Sequence, residues 1–595
     1  MASPSVVPAL LPLWTLAVSL ALLSSCAPAR KLERPRHPLP AGVDVMTQPP
    51  GKPGGLFVTT NSGEPQSFNP LVIEDADSGE IADLFLDSLF KIDPVTQDIV
   101  PGLALSWKFS PDKKQLEVNL REGLKWSDGE PLTADDVLFT FRCIFDPRSP
   151  NRYASQFTIA GKPLMFEKTG PLQVRFTTPG LYSPLLNDLA SVAILPEHAL
   201  GKAAAEGNLQ KTWTIETGIK SPEKLIASGP FRVFSYQPGD RLLLEPNPHY
   251  WRADRNGQRL PYIDLYVVKF VKDQNAELVH FATGQTDFSP IPAPDTEWVR
   301  RGEALHGYRI YDRGPSTSIS FIWFNLHPGK DPKGKPHVEP YKLRWFQDRR
   351  FRQAVSFGFN RQGLIDGVFF GRASKLHSII SEGNIKWHHP GVPHFDYDPD
   401  RARALLAEAG FRTRPGGLLE DAEGHPVDFE ILAPQGGLTT PQILTSFTQD
   451  MRALGIQVKL SYIDFGTLIA RTGQTFDYEA GIMGFTGGGD PSGGKALYLS
   501  SGRLHLWHPQ QNSPATEWEA RVDAIIEEQE KTFDPLARKR LIDEMQTLIA
   551  MERPLIFLVT PNAFVGLKTR WKNTLQDTRG RLVVKIDEIW EDSPP

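Results

Sequence analysis

The chain has 595 residues, with 65 Lys and Arg against 70 Asp and Glu and a formal net charge of −5. That balance favours neither nucleic acid nor an anionic membrane surface as a partner. The length exceeds what one hydrophobic core serves, so two or three domains are expected. With 40% hydrophobic and 23% charged residues, the composition is that of a globular protein.

Residues 6–23 are almost wholly apolar, and no residue before Cys26 carries a charge. Leu23-Ser24-Ser25-Cys26 closes the run. A short apolar segment ending in small residues reads as an export signal. Its ending resembles the lipobox of bacterial lipoproteins. That resemblance implies cleavage just before Cys26, lipidation of its thiol, and a body anchored at the periplasmic or extracellular face of the cell envelope. A plain cleaved signal and a transmembrane anchor are the other readings. The first basic residue, Arg30, follows the run, which is the unfavourable side for export. Residues 27–55 are rich in Pro and Gly and read as a disordered, semi-rigid tether.

From Leu56 the pattern becomes globular. Leu116, Val118 and Leu120 alternate with polar residues, as do Leu172, Val174 and Phe176, so both stretches are expected strands. Residues 241–245 and 265–271 read as buried strands. Thr133 and Asp136 form a capping box ahead of Val137 and Phe141. Asp398-Pro399 and Asp534-Pro535 each offer an N-cap with Pro at the first helical position. After them, Ala402, Leu405, Leu406 and Ala409 form one apolar stripe, and Leu541, Met545 and Leu548 another. Strands and helices mix without a fixed repeat, giving an α/β or α+β class.

Few motifs point to chemistry. Gly489-Asp490-Pro491-Ser492-Gly493-Gly494-Lys495-Ala496 fits the first positions of a phosphate-binding P-loop, but Ala496 lacks the hydroxyl that Mg²⁺ needs. A flexible glycine loop and a ligand loop, with Asp490 as its one negative charge, are the alternatives. His505 with His508, and His388 with His389, lack the thiolates or motif of a zinc site. Cys143 follows an apolar stretch and reads as a buried small hydrophobe. No metal, cofactor or catalytic residue is assigned. A hydrolase or nucleotide enzyme built on the 489–495 loop stands as an alternative of another class, as does a sensory lipoprotein.

Several ordered blocks resemble the family 5 extracellular solute-binding proteins, the receptors of peptide and nickel ABC importers. They include residues 121–137 around Trp126-Ser127-Asp128-Gly129, and Pro101-Gly102-Leu103-Ala104 before them. Gly229-Pro230-Phe231 leads on to His249-Tyr250-Trp251. Phe351-Arg352-Gln353-Ala354-Val355 precedes Asn360-Arg361, and Tyr397-Asp398-Pro399 leads to Ala409-Gly410. The resemblance implies a bivalved fold of three lobes closing about hinge strands. The first lobe takes residues 56–84, 228–305 and 556–595, the second 85–227, and the third 306–555. It implies capture of an oligopeptide, delivery to the transmembrane subunits of an ABC permease, a monomer, and no enzymatic activity. Oligosaccharides and metal chelates are the alternative ligands. Asp490, in an Asp-Pro step, is expected to pair with the ligand's α-ammonium. Phe485 and Trp323 are expected as wall residues and Asn325 as an amide toward the ligand backbone. Trp126, Asp128 and Gly129 are expected to be structural.

Overall fold

A computed structural model describes residues 37–436, 439–577 and 579–592. The apolar N-terminal run and Cys26 lie outside them. Helices and strands alternate along the chain, and four sheets carry the architecture. In the first, Leu56–Asn61 lies parallel to Leu265–Phe270, which continues antiparallel into Arg241–Pro246 and Phe231–Gln237. The second is an antiparallel sheet of Ala104–Phe109, Gln115–Leu120, Gln173–Thr177 and Met165–Gly170. Its alternating pattern puts Leu116, Val118, Val174 and Phe176 into the core.

The third and fourth sheets meet through two crossings of the chain. Tyr308–Pro315 and Val559–Lys568 pair antiparallel in the third sheet. Immediately beyond, Ile319–Phe324 and Leu555–Phe557 pair antiparallel in the fourth, beside Ala480–Phe485, Asp428–Pro434 and Gln457–Ile463. These two adjacent crossings are the hinge strands of a bivalved fold. A further short strand, Ala373–Lys375, pairs with Val559–Lys568 and so rides on the hinge.

The fourth sheet is buried on both faces, which is why Ile319–Phe324 is apolar at almost every position. Ile322 and Phe324 join the core of Phe346, Phe351 and Phe429, while Phe321 and Trp323 join that of Trp507, Ile525 and Met545. A separate core fills the first two sheets around Phe57, Trp126, Phe141 and Trp251.

Local punctuation follows the sequence signals. Thr133 and Asp136 form the capping box of helix Ala134–Ile144. Asp398 caps Pro399–Glu408, and Gly410 past its end has φ +93°. Asp534 caps Pro535–Glu552. The buried face of that last helix is rotated from the expected stripe. Arg538, Ile542, Met545, Gln546 and Ile549 turn inward, whereas Leu541 and Leu548 are partly buried. Gln546 draws the face round by accepting from the Ser378 hydroxyl and donating to the Trp387 carbonyl. Cys143 is buried, and burial pushes its thiol up to about 12, as expected of a small hydrophobe.

The tether expectation needs correction over its second half. Residues from Leu39 belong to the compact body. Asp44–Val45 lies parallel to Arg252–Ala253, Arg252 binds Asp44 at 2.9 Å, and Met46 is 3% exposed in the core. Arg121 donates to the Gly42 carbonyl, and Asn573 to that of Pro49. Pro and Gly reduce regular structure here, but the extended backbone still finds partners on the body. Among the described residues, no helix is long and apolar enough to cross a membrane.

Candidate ligand site

Strand Ala480–Phe485 ends in a run of glycines that the packing requires. A Cβ on Gly487 would lie 1.9 Å from the Thr317 carbonyl oxygen, and Gly488 and Gly489 have φ of +141° and +62°. The run delivers Asp490 to the start of the short turn Pro491–Gly494. The glycine run, Thr317, Ile379, Asn384, Phe485 and Asp490 line a cavity of ≈ 270 Å³. Phe485 and Asp490 are thus brought together.

Asp490 is already engaged. Arg538 grips it with a bidentate pair, Nη1 to Oδ2 at 2.6 Å and Nη2 to Oδ1 at 2.5 Å. Oδ1 also accepts from the Ser492 N–H and Oδ2 from the Asn187 side-chain amide. Both side chains are less than one-tenth exposed. Arg538 is held in turn by Gln529 and lies over the Trp387 ring at 4.9 Å. Four donors occupy the lone-pair directions of a carboxylate. This corrects the α-ammonium expectation for the conformation seen here: the charge is neutralised internally. A buried arginine on the apolar face of a capped helix was the available signal that a carboxylate must come to it.

The two other expected residues lie elsewhere. Trp323 is 0% exposed within the core, and its indole N–H approaches the Tyr478 hydroxyl. Asn325 is buried and donates to the carbonyls of Phe476 and Tyr478 while accepting from the His327 N–H. Its amide ties a loop to the sheet. Trp126 is fully buried, Asp128 accepts from the His198 ring N–H at 2.8 Å, and Gly129 sits at φ +96°.

The Asp490 turn also meets a separate segment of the chain. Besides Asn187, the Ser183 N–H and hydroxyl donate to the carbonyls of Glu530 and Gln529. Asp188 beside this seam accepts from the Tyr182 hydroxyl, and burial raises its carboxyl to about 6, with Asp490 and Glu530 adding to the effect. Lys495, the P-loop lysine of the alternative reading, pairs with Glu530 at 3.0 Å.

A second and larger cavity, of ≈ 510 Å³, went unseen in the sequence. It opens beside the hinge and shares Ile380 and Ser381 with the first. Lys375, His377, His388, His394 and Asp396 line it. The segment 373–396 carries no recognisable motif, so only the fold gathers these side chains. Of the histidines considered for metal, His388 is bonded to the Ile380 carbonyl. His505 sits between the Leu497 carbonyl and Glu519, whose carboxyl is held down to about 2 by that ring and by Gln511 and Thr516, against its burial. Among the described residues, Asp421, Glu423 and His425 bring metal-type donors together. Asp421 there accepts from the Trp345 indole and from the Glu423 and His425 N–H groups, which closes a turn.

Comparison with known proteins follows this geometry. The model of the bacterial extracellular solute-binding proteins, family 5, matches residues 98–503. A "probable ABC transporter-binding protein" of Deinococcus radiodurans is 26% identical over 85% of this chain and 86% of its own length. The oligopeptide-binding protein AppA of Bacillus subtilis is 25% identical over 87% of this chain and 88% of its own. The structure of AppA with a nonapeptide superposes at a TM-score of 0.68, covering 91% of this chain and 99% of that one. MelB of Agrobacterium fabrum with stachyose, 20% identical, shares the fold at 0.68 over 89% of this chain and 82% of its own.

Proposed function

The chain belongs to the bacterial extracellular solute-binding proteins, family 5, and on that premise we propose that it captures oligopeptides and hands them to an ABC permease. The likeness to peptide-bound AppA along nearly the whole of both chains carries this reading. Capture takes place between lobes moving on the paired crossings at 308–324 and 555–568, with no bond made or broken. The lobes are those of 56–84, 228–305 and 556–595, of 85–227, and of 306–555. The protein works as a monomer at the outer face of the membrane, held by a lipid on Cys26.

With Asp490 held by Arg538, the ligand's ammonium has no free carboxylate in that turn. Peptide backbone groups and Phe485 then supply the contacts in the ≈ 270 Å³ cavity. Thermal unfolding with peptide pools tests the proposal, since a ligand that binds the native state raises its melting temperature. Peptides are expected to raise it, whereas stachyose and nickel–histidine are not. A response to the sugar or chelate alone would replace the peptide by that ligand and leave the family untouched.

A further inference from the structure

The hinge-side cavity has two imidazoles in its wall and two buried guanidiniums behind them. His377 and His394 stand parallel, with ring centroids 3.9 Å apart, and both line the cavity. Among the described residues, neither ring forms a hydrogen bond, so their polar edges are open to an occupant. Burial, with His394 and the nearby Arg361 and Arg553 adding to it, pushes His377 down to about 3. It is therefore neutral, with one N–H to donate.

Behind the 394–396 wall lies Arg553. Its guanidinium sits 3.7 Å over the Phe395 ring, and Nε and Nη2 are buried without a hydrogen-bond partner. The side chain is fully buried, which makes such orphaned donors costly. Next to it, Arg361 is 2% exposed and donates to the carbonyls of Ser356, Phe395 and Phe557. No carboxylate forms an ion pair with either guanidinium among the described residues.

Two carboxylates share the lining. Asp396 pairs with Lys375 at 2.7 Å. Glu382 forms no ion pair among the described residues, and Arg579 donates to its backbone carbonyl. An anion entering the cavity meets the edges of two imidazoles in front of two buried guanidiniums.

We infer that this cavity receives an anionic group of the solute, a carboxylate or a phosphate, with His377 and His394 donating to it and Arg361 and Arg553 supplying the field behind them. The inference rests on the capture reading and narrows it: the solute is acidic, and its charged end lies toward the hinge. The cavity volume of ≈ 510 Å³ is ample for such a group with its neighbouring atoms.

Calorimetric titration of the full chain with acidic, neutral and basic peptides of one length, and with inorganic phosphate alone, tests it. Acidic peptides are expected to bind at least about tenfold more tightly than basic ones. His377→Gln with His394→Gln is expected to erase that preference while leaving the ligand-free melting temperature in place. Phosphate binding that the same double variant abolishes would assign a phosphate rather than a carboxylate, and would stand even if every peptide failed. Equal binding of acidic and basic peptides would overturn the inference and leave peptide capture intact. Acid preference that survives the double variant would overturn it as well.

Discussion

The Asp490 turn and the hinge-side cavity lie back to back, sharing Ile380 and Ser381, yet they handle charge in opposite ways. In the turn, every lone-pair direction of a buried carboxylate is filled by protein donors, chiefly Arg538. Beside the hinge, among the described residues, two buried guanidiniums form no ion pair and two stacked imidazoles form no hydrogen bond. A closed charge pair builds structure and offers little to a ligand. An open cluster costs stability and offers a ligand somewhere to bind. Ligand preference thus follows from which charges the fold leaves unsatisfied, rather than from which charged residues are present.

The largest expected effect breaks the closed side. Arg538→Ala leaves Asp490 buried without its partner and should cost about 3–5 kcal/mol in urea unfolding. A cost under about 1 kcal/mol would mean that Asp490 is free to serve a ligand. On the open side, Arg553→Met removes an orphaned charge while keeping volume. It should raise stability by about 1–3 kcal/mol and weaken acidic-solute binding. Loss of stability would show that the guanidinium has a partner after all.

The smallest effect concerns the seam between them and residues 182–188. Native Asp188 keeps its proton up to about 6, against 3.8 for a free carboxyl. Between those values the native state binds more protons, so this group's contribution to stability grows as pH falls through 6 toward 4. Acidification from about pH 7 to about pH 5 should add up to ~1.4 kcal/mol from this group. Asp188→Asn should lack that component; an unchanged pH profile in the variant would show that Asp188 is not its source.

Much of the fold is written locally. The caps at Thr133, Asp398 and Asp534 need only neighbours within one helical turn. The apolar run at 319–324 announces a strand buried on both faces. Because both faces are core, however, an aromatic there has no free side to present, and Trp323 could not be told from a cleft residue by its identity. Asn325 shows the same limit, since an amide satisfies a loop as readily as a ligand. The pairing of Asp490 with Arg538 joins residues 48 apart in the chain, and nothing in the local pattern at either end names the other. The 39–55 strap misled for a different reason. Its composition reports low regular structure, whereas its order comes from Arg121, Arg252 and Asn573 far along the chain.

Strand Ala373–Lys375 pairs with Val559–Lys568, the strand that runs into the hinge, and two residues later the chain reaches His377 in the cavity wall. In the proposed reading, lobes that turn on this strand would carry the cavity wall with them, and a solute lodged there would bear on the pivot as a wedge does in a door jamb.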